Sequence, residues 1–367
     1  MRLLVAGFTC HHSMDNLYMD KNSSIFITGA TGFIGAHLLQ QLLAEGYTNI
    51  RAFRRPGSPM DLVTDMAERV EWQEGDILDI FALEEAMADQ EYVFHCAAIV
   101  SFDPADAQQI RTVNITGTAN VVNAALKLDI KKLLYVSSIA ALGRTKQGIT
   151  IDEKSKWERS PFNTRYAVSK YQGEMEVWRG HAEGLDIAVV NPSIVLGSGF
   201  WGSGPARFFP MVDQGFPFYP VGTTGLVDVR DVAWFIVRLM KSDIKNERFI
   251  LNAEHYPYQQ LLTEVAQALD VQPPKYKVGK ILRGLSWRLV WLQAKLMGKR
   301  PFLTRETARN SSWVFYYDSQ KSLQHFDFAY TPIAQTIKDT AKAYRQAEGQ
   351  KAVRLSPNRP SISEQSA

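Results

Sequence analysis

From residue 24 to residue 190, short apolar runs alternate with segments whose apolar residues recur at helical spacing. Ile25-Phe26-Ile27 runs into a glycine turn, and Phe33, Ile34, His37, Leu38, Gln41 and Leu42 then repeat along one helical face up to Gly46. The same pattern predicts strands over 49–53, 70–72, 92–96, 132–137 and 187–190. It predicts helices over 81–87, 113–126 and 166–183. Parallel strands need crossover helices, so this alternation implies a parallel sheet covered on both faces. The strands are apolar without alternating, as burial on both faces requires. The expected fold is α/β: a Rossmann-type doubly wound parallel sheet with a smaller, mostly helical C-terminal lobe.

Beyond Asn191-Pro192 the texture changes. Residues 197–225 are rich in Gly, Pro and aromatics, and helical patterns follow over 227–240, 258–269 and 281–297. The organisation expected is a loose extension over 1–22, a Rossmann domain over 23–190 and a lobe over 191–346. The lobe is partly interleaved with the core, since Asp228-Val229-Arg230-Asp231 and Phe249-Ile250-Leu251 read as returning to it. Residues 347–367, polar and poor in apolar side chains, read as a disordered tail.

Composition narrows the class. The 367 residues are 46% hydrophobic and 22% charged, the mix of an ordinary globular protein. A net charge of +3 carries no nucleic-acid footprint. Cys10 and Cys96 are the two cysteines and form no disulfide framework or metal-ligand spacing. No metal is expected, and a reducing, cytoplasmic setting is. Leu3 to Phe8 is too short for a secretory apolar region and ends at Thr9-Cys10-His11-His12. Met14 and Met19 stand as alternative starts. No apolar run reaches the roughly 18 residues of a membrane span.

The turn Gly29-Ala30-Thr31-Gly32-Phe33-Ile34-Gly35 follows a predicted strand and opens a predicted helix, the context in which a glycine triplet has weight. Glycines let the backbone approach a pyrophosphate, and the helix N-terminus faces its charge. Nicotinamide enzymes that use NAD place an acidic residue about 20 residues on, at the end of the second strand. Here Arg51, Arg54 and Arg55 stand there instead. A guanidinium fork suits the 2′-phosphate of NADP, which makes NADP the expected cofactor and NAD the alternative.

Tyr166 and Lys170 stand one turn apart on a predicted helix and share a face. A free tyrosine titrates near ~10, and a neighbouring ammonium lowers that value. Such a tyrosine can exchange a proton with a carbonyl or alcohol oxygen while hydride moves to or from a nicotinamide.

Thr28 with the glycine spacing, and Tyr166 with Lys170 downstream of the strand ending Ser137-Ser138, resemble the extended short-chain dehydrogenase/reductase family. The resemblance spans roughly residues 23–345. It implies that Ser138 fixes the substrate oxygen beside Tyr166 and Lys170. It implies that Thr28, Gly29, Thr31, Gly32, Phe33, Ile34 and Gly35 cradle the dinucleotide, that Asp76 and Ile77 meet its adenine, and that Ala97 and Ala98 lie along it. Arg54 would meet the ribose phosphate, Tyr166 and Lys170 the nicotinamide ribose, and Pro192 and Ser193 the nicotinamide. Asn114 would support the sheet and the catalytic helix.

Within the family, Pro301-Phe302-Leu303-Thr304 with Glu306, the stretch from Trp313 to Lys321, and Tyr330-Thr331-Pro332 resemble the dihydroflavonol reductase and 3β-hydroxysteroid dehydrogenase branch. That branch implies an NAD(P)-dependent oxidoreductase acting on an apolar carbonyl or alcohol. Phe200, Trp201, Phe208, Phe209, Phe216, Phe218 and Tyr219 would line a greasy pocket or pack the lobe core. Ile139-Ala140-Ala141 after Ser138 lacks the acidic residues of dehydratases. A nucleotide-sugar epimerase, with Arg207 and Arg248 on a diphosphate, is the second reading, and a non-catalytic cofactor sensor the third. Leu285, Leu289, Leu292 and Leu296 form a stripe beside Trp287 and Trp291, with Arg283, Arg288, Lys295, Lys299 and Arg300 around it. The 281–300 helix reads either as a lobe helix packed on the core or pocket, or as a helix lying on a membrane surface. A homodimer is a further expectation from the family.

Overall fold

The computed structural model describes residues 19–297, 303–347 and 355–359. Its first five strands are β1 (Ile25–Thr28), β2 (Ile50–Arg54), β3 (Glu71–Glu74), β4 (Tyr92–His95) and β5 (Lys132–Val136). They are linked by α1 (Phe33–Ala44), α2 (Ile80–Met87), α3 (Ala107–Arg111) and α4 (Thr118–Lys127). Next come β6 (Thr150–Ile151), α5 (Arg165–Ala182), β7 (Ile187–Pro192), β8 (Ile194–Leu196), α6 (Phe208–Asp213) and β9 (Phe218–Tyr219). After them lie β10 (Thr223–Asp228), α7 (Val229–Lys241), β11 (Glu247–Leu251), β12 (Glu254–Pro257) and α8 (Tyr258–Leu269). The remaining elements are β13 (Tyr276–Lys277), α9 (Lys280–Leu296), α10 (Arg305–Asn310), β14 (Tyr316–Tyr317), α11 (Gln320–His325) and α12 (Ile333–Gln346).

Seven strands pair in the order β11-β7-β5-β4-β1-β2-β3, all parallel. β1, β4, β5 and β7 are buried along their whole length, which is why their sequences do not alternate. One face is covered by α1 and α7, the other by α2, α4 and α5. Strand order reverses between β1 and β4, so the loops leaving these strands open a crevice at the sheet's C-terminal edge. The seventh strand, β11, comes from residues 247–251, so the chain returns to the sheet after leaving it. The lobe is a three-stranded sheet, β12-β10-β8, packed with α6, α8 and α12.

Three local expectations change. The helix predicted over 113–126 begins earlier, at Ala107, and is interrupted by a π turn, Thr112–Gly117. That wide turn holds the fully buried Asn114. Residues 19–22 do not hang loose: Met19 is fully buried, and Tyr47 donates to its carbonyl at 3.4 Å. Residues 355–359, expected in a loose tail, also pack. The Ser356 N–H donates to Ser198 Oγ at 2.8 Å, and Arg359 lies over Phe328 and Trp234 at 4.5 and 5.2 Å. Its guanidinium comes within 3.5 Å of the buried Asp231. Residues 1–18, with Cys10 and Met14, and residues 298–302, 348–354 and 360–367 lie outside the described residues.

Candidate active site

The three glycines of the turn have different causes. Gly29 has φ +74°, and a Cβ there would sit 2.6 Å from the Ala97 nitrogen. A Cβ on Gly35 would meet the Gly29 carbonyl at 2.2 Å. The first glycine therefore makes the turn, and the third lets α1 pack on β1. Gly32 is not required by packing in that way: a Cβ there would meet the Gly29 carbonyl at 3.2 Å and otherwise open space. α1 starts at Gly32 with no side-chain cap, so its first N–H groups face the crevice. This cradle fits the diphosphate of a dinucleotide.

The other predicted cofactor residues divide. Thr31, Phe33 and Ile34 are half-buried around the turn, with Phe33 edge-on to His37 at 5.2 Å. Ala97 lies directly under Gly29, and Ala98 is exposed. The expected contact from Thr28 is corrected. Thr28 is fully buried beneath the turn, with its hydroxyl 2.7 Å from His95 Nδ1. His95 bridges onward to Thr118 Oγ1 at 3.0 Å, and burial pulls its pKa down to about 3, so it is neutral. Asp76 Oδ1 accepts from the Leu78 N–H at 3.0 Å. Ile77 is buried against Gly117, and its carbonyl accepts from Asn120 at 3.0 Å. Pro192 has no N–H, and the Ser193 N–H already donates to the Leu251 carbonyl at 2.9 Å. Any backbone contact from this pair to a nicotinamide would therefore come from carbonyls rather than N–H groups. The Ser193 hydroxyl is buried with no partner among the described residues. Burial pushes the Cys96 thiol up to about 12, so it is inert.

Arg54 ends β2 as predicted, but a carboxylate does stand beside it. The β2–β3 register sets Glu74 opposite, and Arg54 pairs with it at 2.5 Å. Arg54 Nε is buried without a partner, and Arg55 is exposed and unpaired among the described residues. Arg51 is committed to structure through Glu71 and the Ala86 and Ala88 carbonyls.

Ser138, Tyr166 and Lys170 come together at the C-terminal edge of β5. The half-buried Ser138 caps the short turn Ile139–Leu142 by accepting from the Ala140 N–H at 3.2 Å. Thr164 caps α5 and fixes the start of the helix that presents Tyr166 one residue inside. Burial pushes the Tyr166 phenol up to about 12, with the neighbouring Ser138 acting in the opposite direction. Phe102 stands edge-on to its ring at 5.7 Å. Lys170 is buried one turn on, where Nζ donates to Tyr135 Oη at 2.7 Å and to the Val136 carbonyl at 2.9 Å. Burial pulls Lys170 down to about 7, with Glu174 holding it up. The expected lowering of Tyr166 by Lys170 is thus corrected. Lys170 reaches β5 rather than the Tyr166 phenol, and desolvation dominates at Tyr166.

Sequence reasoning missed Tyr135, Phe102 and Glu174. The fully buried Glu174 accepts from Ser137 Oγ at 2.6 Å, Asn191 Nδ2 at 2.8 Å, Trp178 Nε1 at 3.2 Å and Arg248 at 3.2 Å. Asn191 Nδ2 also donates to the Ser138 carbonyl at 3.1 Å, so this carboxylate ties the end of β5 to α5. A signal was present, since Glu174 continues the Tyr166–Lys170 face by one more turn. Asn114 acts as expected of a support. It clamps the Ile99 backbone at 2.8 and 2.9 Å and donates to Ser169 of α5 at 3.0 Å.

Of the aromatics expected to line a greasy pocket or pack the lobe core, two take the second role. Trp201 and Phe209 are buried in the lobe core with Tyr344. A cavity of about 380 Å³ lies between Phe162, Val221, Val278 and Trp313, bordered by Arg283 and Arg309. The late motif has a structural role. Thr304 caps α10, and Glu306 accepts from the Arg165 N–H at 2.9 Å, holding the start of α5; Pro301 and Phe302 lie outside the described residues. Arg248 is committed to Glu174 and to the Glu153 and Ser155 carbonyls, so it is not free for a nucleotide-sugar diphosphate.

A family model, the NAD dependent epimerase/dehydratase family, matches residues 25–251. A Synechocystis protein provisionally named a dihydroflavonol 4-reductase is 29% identical, covering 88% of this chain and 95% of its own. Cinnamoyl-CoA reductase 1 of Petunia hybrida is 25% identical over 88% of this chain and 92% of its own. The crystal structure of gox2253 superposes with a TM-score of 0.76 at 28% identity, covering 90% of this chain and 100% of that one. The chain belongs to the NAD dependent epimerase/dehydratase family, as an NAD(P)-dependent oxidoreductase of the extended short-chain dehydrogenase/reductase type.

Proposed function

We propose that the protein transfers hydride between NADP(H) and an apolar carbonyl or alcohol, with Ser138, Tyr166 and Lys170 handling the substrate oxygen and its proton. The observation that carries this reading is the buried Lys170, held against the end of β5 one helical turn from Tyr166 and two residues' reach from Ser138 at the same strand end. The bound nicotinamide supplies or accepts the hydride. Gly29, Thr31, Gly32, Phe33, Ile34 and Gly35 would hold the diphosphate, Asp76 and Ile77 the adenine, and Ala97 and Ala98 the edge of the dinucleotide. Pro192 and the unpartnered Ser193 hydroxyl would flank the nicotinamide, and Lys170 would turn from Tyr135 to the ribose.

A phenol with a pKa of about 12 is protonated at neutral pH. It is then an acid, the state in which it can protonate the oxygen of a carbonyl as hydride arrives. Ser138 would hold that oxygen. Arg54 and the exposed Arg55 support NADP over NAD, although Glu74 takes one edge of Arg54. Competing titrations check this: NADPH should bind at least tenfold tighter than NADH, and tighter NADH binding would overturn the preference. Tyr166→Phe should lower turnover about 10³-fold with NADPH affinity unchanged. A Phe variant that still turns over removes Tyr166 from the chemistry.

The partner under this reading is a small-molecule substrate in a reducing, cytoplasmic setting. α9 is assigned a surface outside the chain, either a membrane or a second copy, rather than the lobe core. No described helix is long and apolar enough to cross a membrane.

A further inference from the structure

We infer that α9 docks on the surface of an anionic lipid bilayer. Ile281, Leu285, Leu289, Leu292 and Leu296 are 48–89% exposed. At helical spacing they fall within a stripe about 80° wide. Nothing among the described residues covers that stripe.

Charge identifies the occupant. The segment 280–300 contains Lys280, Arg283, Arg288, Lys295, Lys299 and Arg300 and no acidic residue. Arg288 and Lys295 flank the apolar stripe and lie over the rings of Trp287 and Trp291 at 4.7 and 5.2 Å. Tryptophan beside a cation at the edge of an apolar stripe suits the headgroup level of a membrane.

A second observation stands at the same helix. A cleft of about 240 Å³ between α9 and α10 is lined by Lys280, Arg283, Arg288, Arg305, Arg309 and Trp287. None of these five cations has a carboxylate partner among the described residues. Glu306, the acidic residue of α10, is turned to Arg165 instead, at 3.6 Å. A cleft of unpaired cations beside an exposed apolar stripe matches a phosphate headgroup with its acyl chains. A second copy of this chain would bring the same positive charge to the contact and repel.

The test uses the full chain with vesicles of phosphatidylcholine alone and of phosphatidylcholine with phosphatidylglycerol. The chain should sediment at least tenfold more with the anionic vesicles, with a blue shift in tryptophan emission and release by high salt. Arg288→Glu with Lys295→Glu should weaken partitioning at least twentyfold, from about fivefold per cation. Leu289→Ser with Leu292→Ser should weaken it at low and high salt alike. Absence of sedimentation, or equal sedimentation with both vesicles, overturns the proposal. So does a dimer in ultracentrifugation that Leu289→Asp dissociates, which assigns the stripe to a second copy. Inorganic phosphate binding at the cleft without vesicle binding assigns a free anion and overturns it too. Turnover of a water-soluble aldehyde without vesicles reads the reductase function separately, and these variants should leave it unchanged.

Discussion

α5 and α9 are helices of 18 and 17 residues, each carrying lysine or arginine beside aromatic rings, and they meet opposite fates. In α5 the inward polar groups are held by other elements: Ser169 by Asn114, Lys170 by β5, and Glu174 by Ser137, Asn191 and Arg248. Gly173 lets the Asn114 carbonyl approach to where a Cβ would lie 2.3 Å away. In α9, Arg288 and Lys295 lie over rings and Arg283 reaches Ser312, and the stripe of leucines is exposed, with nothing among the described residues covering it. Helical period reveals that a face exists. It does not reveal what covers the face, and these two faces are covered from within and, we infer, from without.

The sharpest way to break this contrast is at Glu174. Removing one partner of a buried ion pair leaves the other uncompensated, typically at 3–5 kcal/mol. Arg248 keeps 20% of its side-chain surface exposed, so Glu174→Ala should cost about 3 kcal/mol, read as a lowered denaturant midpoint. Glu174→Gln carries a separate signature. Glu174 holds Lys170 up against burial, so its loss lets Lys170 fall further below about 7. The ammonium is then lost at lower pH, and the alkaline fall of kcat/KM in the free enzyme should move to lower pH. A profile that does not move would mean Glu174 is a strut and nothing more.

This also marks where the sequence was legible. The sheet was readable because β1, β4, β5 and β7 are apolar throughout and the helices between them keep their period. The placement of Ser138 after β5, and of Tyr166 and Lys170 on one face of α5, was readable because it follows from chain distance to a strand end and from helical spacing. Partners across elements were not. Glu74 reaches Arg54 only through the β2–β3 register, and Tyr135 takes Lys170 only because β5 runs beneath α5. The π turn at Thr112–Gly117 exists because Asn114 clamps Ile99, a contact between distant loops. Arg359 packs because Asp231 is buried behind it. Local pattern carries none of these.

Acidification tests the buried core at a smaller scale. Burial pulls His37 and His95 to about 4 and 3, from an unfolded value near 6.5. Between pH 6.5 and 5 the unfolded chain binds these two protons and the folded one does not, so stability falls as pH drops. Asp231 opposes this. Burial raises it to about 7 from 3.8, so over the same window the folded chain holds a proton that the unfolded one releases. The net is roughly one proton, or about 1.4 kcal/mol lost per pH unit below 6.5. His37→Leu should flatten that slope and Asp231→Asn steepen it, both followed by urea melts across pH. A slope indifferent to either substitution would mean that groups elsewhere set the acid limit.

The smallest effect belongs to α9. Leu289→Ser with Leu292→Ser removes apolar side chains that are already about half exposed, 57% and 48%. Surface substitutions away from special features usually stay within about 0.5 kcal/mol. In lipid-free buffer the double variant should therefore melt with the parent, whereas a comparable pair in α5 would not. A drop of several kcal/mol would show that the stripe is buried within the folded chain or a dimer of it. The contrast between the two helices would then collapse, because both would be covered from inside the protein. Thermal melts at two protein concentrations separate these cases: a dimer's loss depends on concentration, and an internal contact's does not.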